Sequence, residues 1–116
     1  MRSMLKAAKG LSDETRLRIL NLLIKRECCV CEVMQVLNIS QTRASRNLNV
    51  LHEAGFLSVR REGLWAYYSI DNTGLAEYLS ILLSAVERSL TEDKAAGVDR
   101  ERLKECQRLG PQCCNT

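Results

Sequence analysis

The stretch that decides the fold runs from Ser40 to Ile70, SQTRASRNLNVLHEAGFLSVRREGLWAYYSI. Ser40 predicts a helix N-cap, and the helix that follows runs from Gln41 to about Glu53 and stops at Gly55. Ala44, Leu48 and Leu51 recur at i, i+4 and i+7, so they share one face and belong to a core. The opposite face carries Thr42, Arg46 and Asn49, flanked by Gln41, Arg43 and Ser45. These are hydrogen-bonding and cationic side chains that base edges and phosphates accept, and no acidic residue interrupts them before Glu53. After Gly55 the period changes to two. Phe56–Arg61 and Leu64–Ile70 are β-branched and aromatic runs separated by Glu62-Gly63, which predicts a β-hairpin with Arg60 and Arg61 at its tip, suited to phosphate or minor-groove contacts.

Working outward, Cys31 to Leu37 reads as a short helix ended by Asn38-Ile39-Ser40. Helix, three-residue turn and helix is the DNA-binding helix-turn-helix arrangement, and a hairpin directly after it makes a winged helix-turn-helix. Upstream, Ser12 is an N-cap candidate, with Asp13 and Glu14 in the first turn of a helix over 12–26. Leu17, Leu20, Leu23 and Ile24 set its helical period, and Lys6–Lys9 predicts a short lead-in helix before Gly10. Downstream, Asp71 or Asn72 can cap a helix bearing the stripe Leu75, Leu79, Leu82, Val86 and Leu90. That helix is apolar enough to pack partly on the core and partly on a second copy of itself. Thr91–Val98 reads as a polar linker and Asp99–Leu109 as a last helix. The expectation is a mainly α fold with a small β-hairpin wing, a homodimer, with residues 1–92 as a DNA-binding and dimerisation domain and 93–116 as a C-terminal helix and cysteine-containing tail.

With 116 residues, 27% charged and 46% apolar, the composition is that of one folded domain and excludes collagen-like, low-complexity and disordered chains. No apolar run approaches the ~18 residues of a membrane span, and the start lacks a signal-peptide core. The reading is cytoplasmic, with no membrane partner and no organic cofactor. A net charge of +3 permits a polyanionic partner.

Six cysteines fall in two groups, Cys28, Cys29 and Cys31, then Cys106, Cys113 and Cys114. Without an export signal, clustered thiols point to soft-metal binding or redox chemistry rather than to a disulfide framework. Buried cysteines acting as small hydrophobes are the plain alternative. In a regular helix Cys29 and Cys31 point about 160° apart, whereas an extended segment puts them on one side. Gathering all three N-terminal thiols on one ion therefore requires distorting the helix start. That distortion would reach the recognition helix directly.

The segments LSDETRLRILNLL, ECCVCEVMQVL and the 40–70 stretch together resemble the arsenic-resistance repressor (ArsR/SmtB) family of winged-helix metalloregulators. The resemblance covers Leu11 to Ile70. It implies a homodimeric repressor on an inverted-repeat operator of double-stranded DNA, released when an inducing ion binds. For the arsenite-sensing pattern Cys-Val-Cys-acid-Leu-Cys, it implies trivalent arsenic or antimony held by thiolates. Cys29 and Cys31 match that pattern, Met34 stands at its third cysteine, and Cys28 is an additional thiol. The histidine usual before the leucine of the recognition helix is Asn47 here. The zinc-type site of relatives uses Asp and His pairs on the last long helix, which has no histidine here, and residues 1–27 lack the cysteines of cadmium and lead sensors. Three ligand sets stay open: Cys28/Cys29/Cys31, the tail trio Cys106/Cys113/Cys114, or a composite. A repressor responding to thiol oxidation or another soft metal is the alternative, and a thiol–disulfide enzyme the remote one. No catalytic triad, phosphate loop or paired-carboxylate pocket is present.

Overall fold

A computed structural model describes residues 1–71 and 73–106. The order is α1 (Arg2–Leu11), α2 (Glu14–Lys25), β1 (Cys28–Cys29), α3 (Val30–Leu37), α4 (Gln41–Glu53), β2 (Leu57–Glu62), β3 (Trp65–Ile70), α5 (Glu77–Leu90) and α6 (Lys94–Glu105). The three strands form one antiparallel sheet in the order β1-β3-β2. This is the expected winged helix-turn-helix.

Local chemistry sets most boundaries. Ser40 Oγ accepts the Arg43 backbone N–H at 3.1 Å and starts α4. Asn38 ends α3 in the left-handed region at φ +55°, a conformation Asn tolerates. Gly55 leaves α4 at φ +96°, which a side chain would resist twice over, since a Cβ there would meet Leu79 Cδ1 at 3.1 Å.

Several details differ from the sequence reading. Asp13, not Ser12, caps α2, taking the Arg16 N–H at 3.1 Å, while Ser12 closes α1 on the Lys9 carbonyl. The expected lead-in helix is longer, running from Arg2 through Gly10 to Leu11, with Ala7 and Gly10 buried and Gly10 close to Leu51, Ala54 and Phe56. Strand β1 was not anticipated: two residues are too few to show a period, and they pair only because β3 offers its other edge. The hairpin tip is Gly63-Leu64, so Arg60 and Arg61 lie within strand β2, paired with Tyr67 and Ala66. Asp71 closes a turn on the Gly74 N–H rather than capping α5, which begins later after Ala76, and Asn72 lies outside the described residues. The segment read as a linker is largely the first turn of α6, capped by Asp93 on the Ala96 N–H at 2.9 Å.

Ile19, Leu20, Leu22, Val33, Val36, Leu48, Leu51 and Phe56 form the centre of the core, all essentially inaccessible. Ala44, Leu48 and Leu51 turn inward as their spacing predicts. On α5, Leu79, Leu83 and Val86 are buried, Leu82 and Leu90 pack partly, and Ile81 is exposed, while Leu75 packs partly from the segment just before the helix. Helix α6 docks on α2 through a bidentate Arg18–Asp99 pair at 2.7 and 2.8 Å, with Asp99 buried. Arg102 reaches across to the Gln35 carbonyl of α3 at 2.8 Å. Among the described residues no helix is long and apolar enough to cross a membrane.

Candidate nucleic-acid interface and thiol centre

The outer face of α4 presents Thr42, Arg43, Arg46 and Asn49 to solvent, with Gln41 and Ser45 half-buried beside them. Behind it lies a network that holds the helix in place. The Arg16 guanidinium donates to the Gly10 and Lys9 carbonyls of α1, both at 2.9 Å, and to Asn47 Oδ1 of α4 at 3.0 Å. Asn47 in turn donates to the Arg43 carbonyl at 3.0 Å and is buried. Arg43 Nη2 donates to Thr15 Oγ1 at 2.9 Å. Position 47, where the family resemblance places a histidine, therefore points into the domain. Arg16 joins three helices and was not singled out in the sequence, because a polar residue inside an amphipathic helix gives no sign of where its long side chain reaches.

On the wing, Arg60 and Arg61 are both exposed. Arg60 is ion-paired with Glu27 at 2.8 Å and with Glu62, and its guanidinium lies 4.5 Å over the Tyr67 ring. Its contact with the segment leading into β1 went unforeseen, since Glu27 and Arg60 are far apart in the chain.

The thiols divide between two environments. Cys28 pairs with Tyr68 and Cys29 with Tyr67 across the β1–β3 register, so their side chains leave opposite faces of the strand. Cys28 enters the main core. Cys29 and Cys31 are fully buried in a separate cluster with Tyr67, against which Trp65 packs. Cys29 is also the N-cap of α3: Glu32 Oε1 accepts the Cys29 backbone N–H at 2.9 Å, and the Cys29 side chain receives the N–H of Glu32, a reciprocal capping box built on sulfur. The usual Ser or Thr signature is missing, so the pattern is invisible to a search for it.

Glu32 is 1% exposed and its other oxygen binds Arg26 at 2.7 Å. Arg26 Nη2 also lies 3.4 Å from Cys106 Sγ, which is 3.8 Å from Glu32 Oε2, and Cys28 Sγ approaches the Arg26 carbonyl at 3.6 Å. The end of α6 thus meets the start of α3 through one ion pair. Burial, reinforced by the Glu32 carboxylate and partly opposed by Arg26, pushes the Cys28 thiol up to about 12. The same causes raise Cys106. Both thiols are protonated and neutral at pH 7. Cys113 and Cys114 lie outside the described residues. Among the described residues no three His, Cys, Asp or Glu side chains are gathered as a metal site requires.

The comparisons with known proteins agree with this architecture. The family model described as "Bacterial regulatory protein, arsR family" matches residues 13–59. The arsenic resistance transcriptional regulator ArsR2 of Pseudomonas putida is 40% identical over 89 residues, 73% of this chain and 77% of that protein. ArsR1 of the same organism, described in the same words, is 50% identical over 64 residues, and there the match spans only 49% of the relative's length and 53% of this chain. Among solved structures, the homodimeric winged helix-turn-helix DNA-binding domain of a possible ArsR-family regulator from Mycobacterium bovis superposes with a TM-score of 0.65 at 31% identity, covering 78% of this chain and 81% of that one. With the recognition helix, wing and capped entry segment on the same scaffold, the chain belongs to the arsR family of bacterial regulatory proteins, DNA-binding transcriptional regulators rather than enzymes.

Proposed function

We propose that the chain is a repressor that binds an inverted-repeat operator as a homodimer and is released by trivalent arsenic or antimony bound to cysteine sulfur. The names of its Pseudomonas relatives support the ion class. The exposed Met4 and Leu5 of α1 and Ile81 of α5 supply apolar surface for a second copy. In this reading Gln41, Thr42, Arg43, Ser45, Arg46 and Asn49 contact base edges and phosphates in the major groove, and Arg60 and Arg61 contact phosphates from the wing. Arg60 would exchange its Glu27 and Glu62 partners for DNA.

The observation that carries the proposal is that Cys28, Cys29 and Cys31 are built into the joint between the wing sheet and the helix-turn-helix. Arsenous acid is neutral, and with three thiols it condenses as As(OH)3 + 3 RSH → As(SR)3 + 3 H2O. The exchange releases only water, so no net charge enters the core. Cys28 lies on the far face of β1 from Cys29, so a three-thiol adduct turns the strand and breaks the Glu32–Cys29 cap. The cost falls on the element that seats α4. A coupling of about 1–3 kcal/mol weakens operator affinity roughly 5–150-fold.

A second reading, a composite site, is favoured by Cys106, whose sulfur already lies beside Arg26 and Glu32 at the entrance to β1. Operator binding by fluorescence anisotropy, titrated with arsenite, separates the readings. Release of wild type but not of Cys29→Ser/Cys31→Ser puts the site at the joint. Resistance only in Cys113→Ser/Cys114→Ser puts it in the tail, and resistance in Cys106→Ser together with the joint variant indicates the composite. Arsenite leaving wild-type binding untouched sinks the ion assignment and brings thiol oxidation or another soft metal forward.

A further inference from the structure

On one face of the wing sheet the three strands place a thiol, a ring and a cation in a single row. Cys29 of β1 pairs with Tyr67 of β3, and Tyr67 pairs with Arg60 of β2, so all three side chains leave the same face. The Arg60 guanidinium lies 4.5 Å over the Tyr67 ring, which stacks on Trp65 and packs with Cys29 and Cys31. Arg61, next in β2, pairs with Ala66 and leaves the opposite face. Arg60 is also held from its charged end. Its Nη2 and Nε donate to the two carboxylate oxygens of Glu27 at 2.8 and 3.3 Å, and its Nη1 donates to Glu62.

A carboxylate that takes two N–H groups of one guanidinium occupies the same fork of donors that a phosphate takes. Two carboxylates on one guanidinium leave that group of side chains with a net negative charge. Glu62 sits two residues from Arg60 in the same strand and moves with the wing. Glu27 belongs to a different element: it immediately precedes Cys28, so its carboxylate is carried by the segment that forms the thiol strand. Taking the wing arginines as phosphate contacts, as in the function proposed above, we propose that Glu27 is a built-in phosphate surrogate, a positioning residue that competes with the DNA backbone for Arg60 and so sets operator affinity. With Glu27 in place, the wing surrenders a two-pronged ion pair before it gains a phosphate. Without it, only the more exposed Glu62 has to yield. The Tyr67 ring keeps the guanidinium at the point where the competitor reaches it.

The full-length chain, without arsenite, tests this on a fluorescent duplex that wild type enriches from a random-sequence pool. Glu27→Gln, nearly isosteric and at a partly exposed position, should tighten binding about two- to fivefold, the range of an exposed ion pair. Arg60→Met keeps an aliphatic stem over Tyr67 and removes the charge. It should weaken binding and reduce the slope of log affinity against log salt by about 1. In the Arg60→Met background Glu27→Gln should change nothing, because the competitor has lost what it competes for. Arg60→Gln takes the place of Arg60→Met if the latter melts early. The inference is overturned if Glu27→Gln gives the same gain with and without Arg60, which would make Glu27 only a negative charge near DNA. It is overturned equally if Glu27→Gln leaves affinity unchanged or lower, or if Arg60→Met binds as wild type does. Those outcomes leave recognition by α4 standing. If wild type enriches no duplex at all, the DNA-binding function itself is wrong, and an error in the inducing ion alters none of these results.

Discussion

The outer face of α4 and the thiol-bearing joint at β1 and α3 lie a few residues apart in the chain, yet they differ in readiness. The side chains on the outer face of α4 are exposed and backed by the Arg16–Asn47–Arg43–Thr15 network, so that surface is complete without any ligand. The thiols are buried, capped by Glu32 and divided between two compartments. Under the proposed function, a DNA-reading face finished at rest and an inducer site that is not would make the resting fold the DNA-competent one. On that proposal, inducer binding would have to work against the capped joint, which is how a small ion would bias a whole domain.

That contrast can be broken most sharply at the joint. Cys29→Ser/Cys31→Ser should abolish release by arsenite while leaving inducer-free operator affinity near wild type, measured by anisotropy. A comparable loss of basal affinity would mean that the thiols serve the reading surface as well. Next, Arg46→Ala should cost about 1–3 kcal/mol of operator binding with no shift in thermal unfolding. Unchanged affinity would show the wrong face had been assigned to DNA. Arg16→Ala should do the reverse at first order, losing about 1–3 kcal/mol of stability because it leaves the buried Asn47 amide and the α1 carbonyls without their donor. If it lowers affinity without destabilising, Arg16 belongs to the interface and not to the scaffold.

A last test concerns pH, with no effect expected at neutrality. The Cys28 thiol is raised from its ordinary 9.0 to about 12, so between those values the unfolded chain has lost a proton that the folded chain keeps. Stability is therefore fully present below about pH 9 and falls as pH rises toward 12. Chemical denaturation of wild type against Cys28→Ala across that window should give a steeper decline for wild type. Parallel curves would place Cys28 in a wetter setting than the core.

The helix-turn-helix was legible because its signals are local. Ser40, Gly55 and the Ala44–Leu48–Leu51 spacing each report on backbone within one or two turns, and the change to period two announces the wing. The candidate thiol site could be read as a set of residue types but not as an arrangement. Nothing in Cys28-Cys29-Val30-Cys31 says that the first two residues pair with a strand nearly forty residues later, and that pairing is what sends Cys28 and Cys29 to opposite faces. Arg60 shows the same limit. Its position in the hairpin suggested a tip, whereas a two-residue turn at Gly63-Leu64 and an ion pair to Glu27 hold it lower on the strand.

What the amino-acid order determined alone was the class of molecule: a basic recognition helix, a wing after it, and thiols at its approach. These follow from capping, periodicity and side-chain chemistry, all short-range. Tertiary structure decided which thiols share a compartment, that Asn47 points inward, and that α6 brings Cys106 to the Arg26–Glu32 pair. Those are contacts between segments distant in sequence, created when burying the core brings elements together, and no local pattern of residues encodes them.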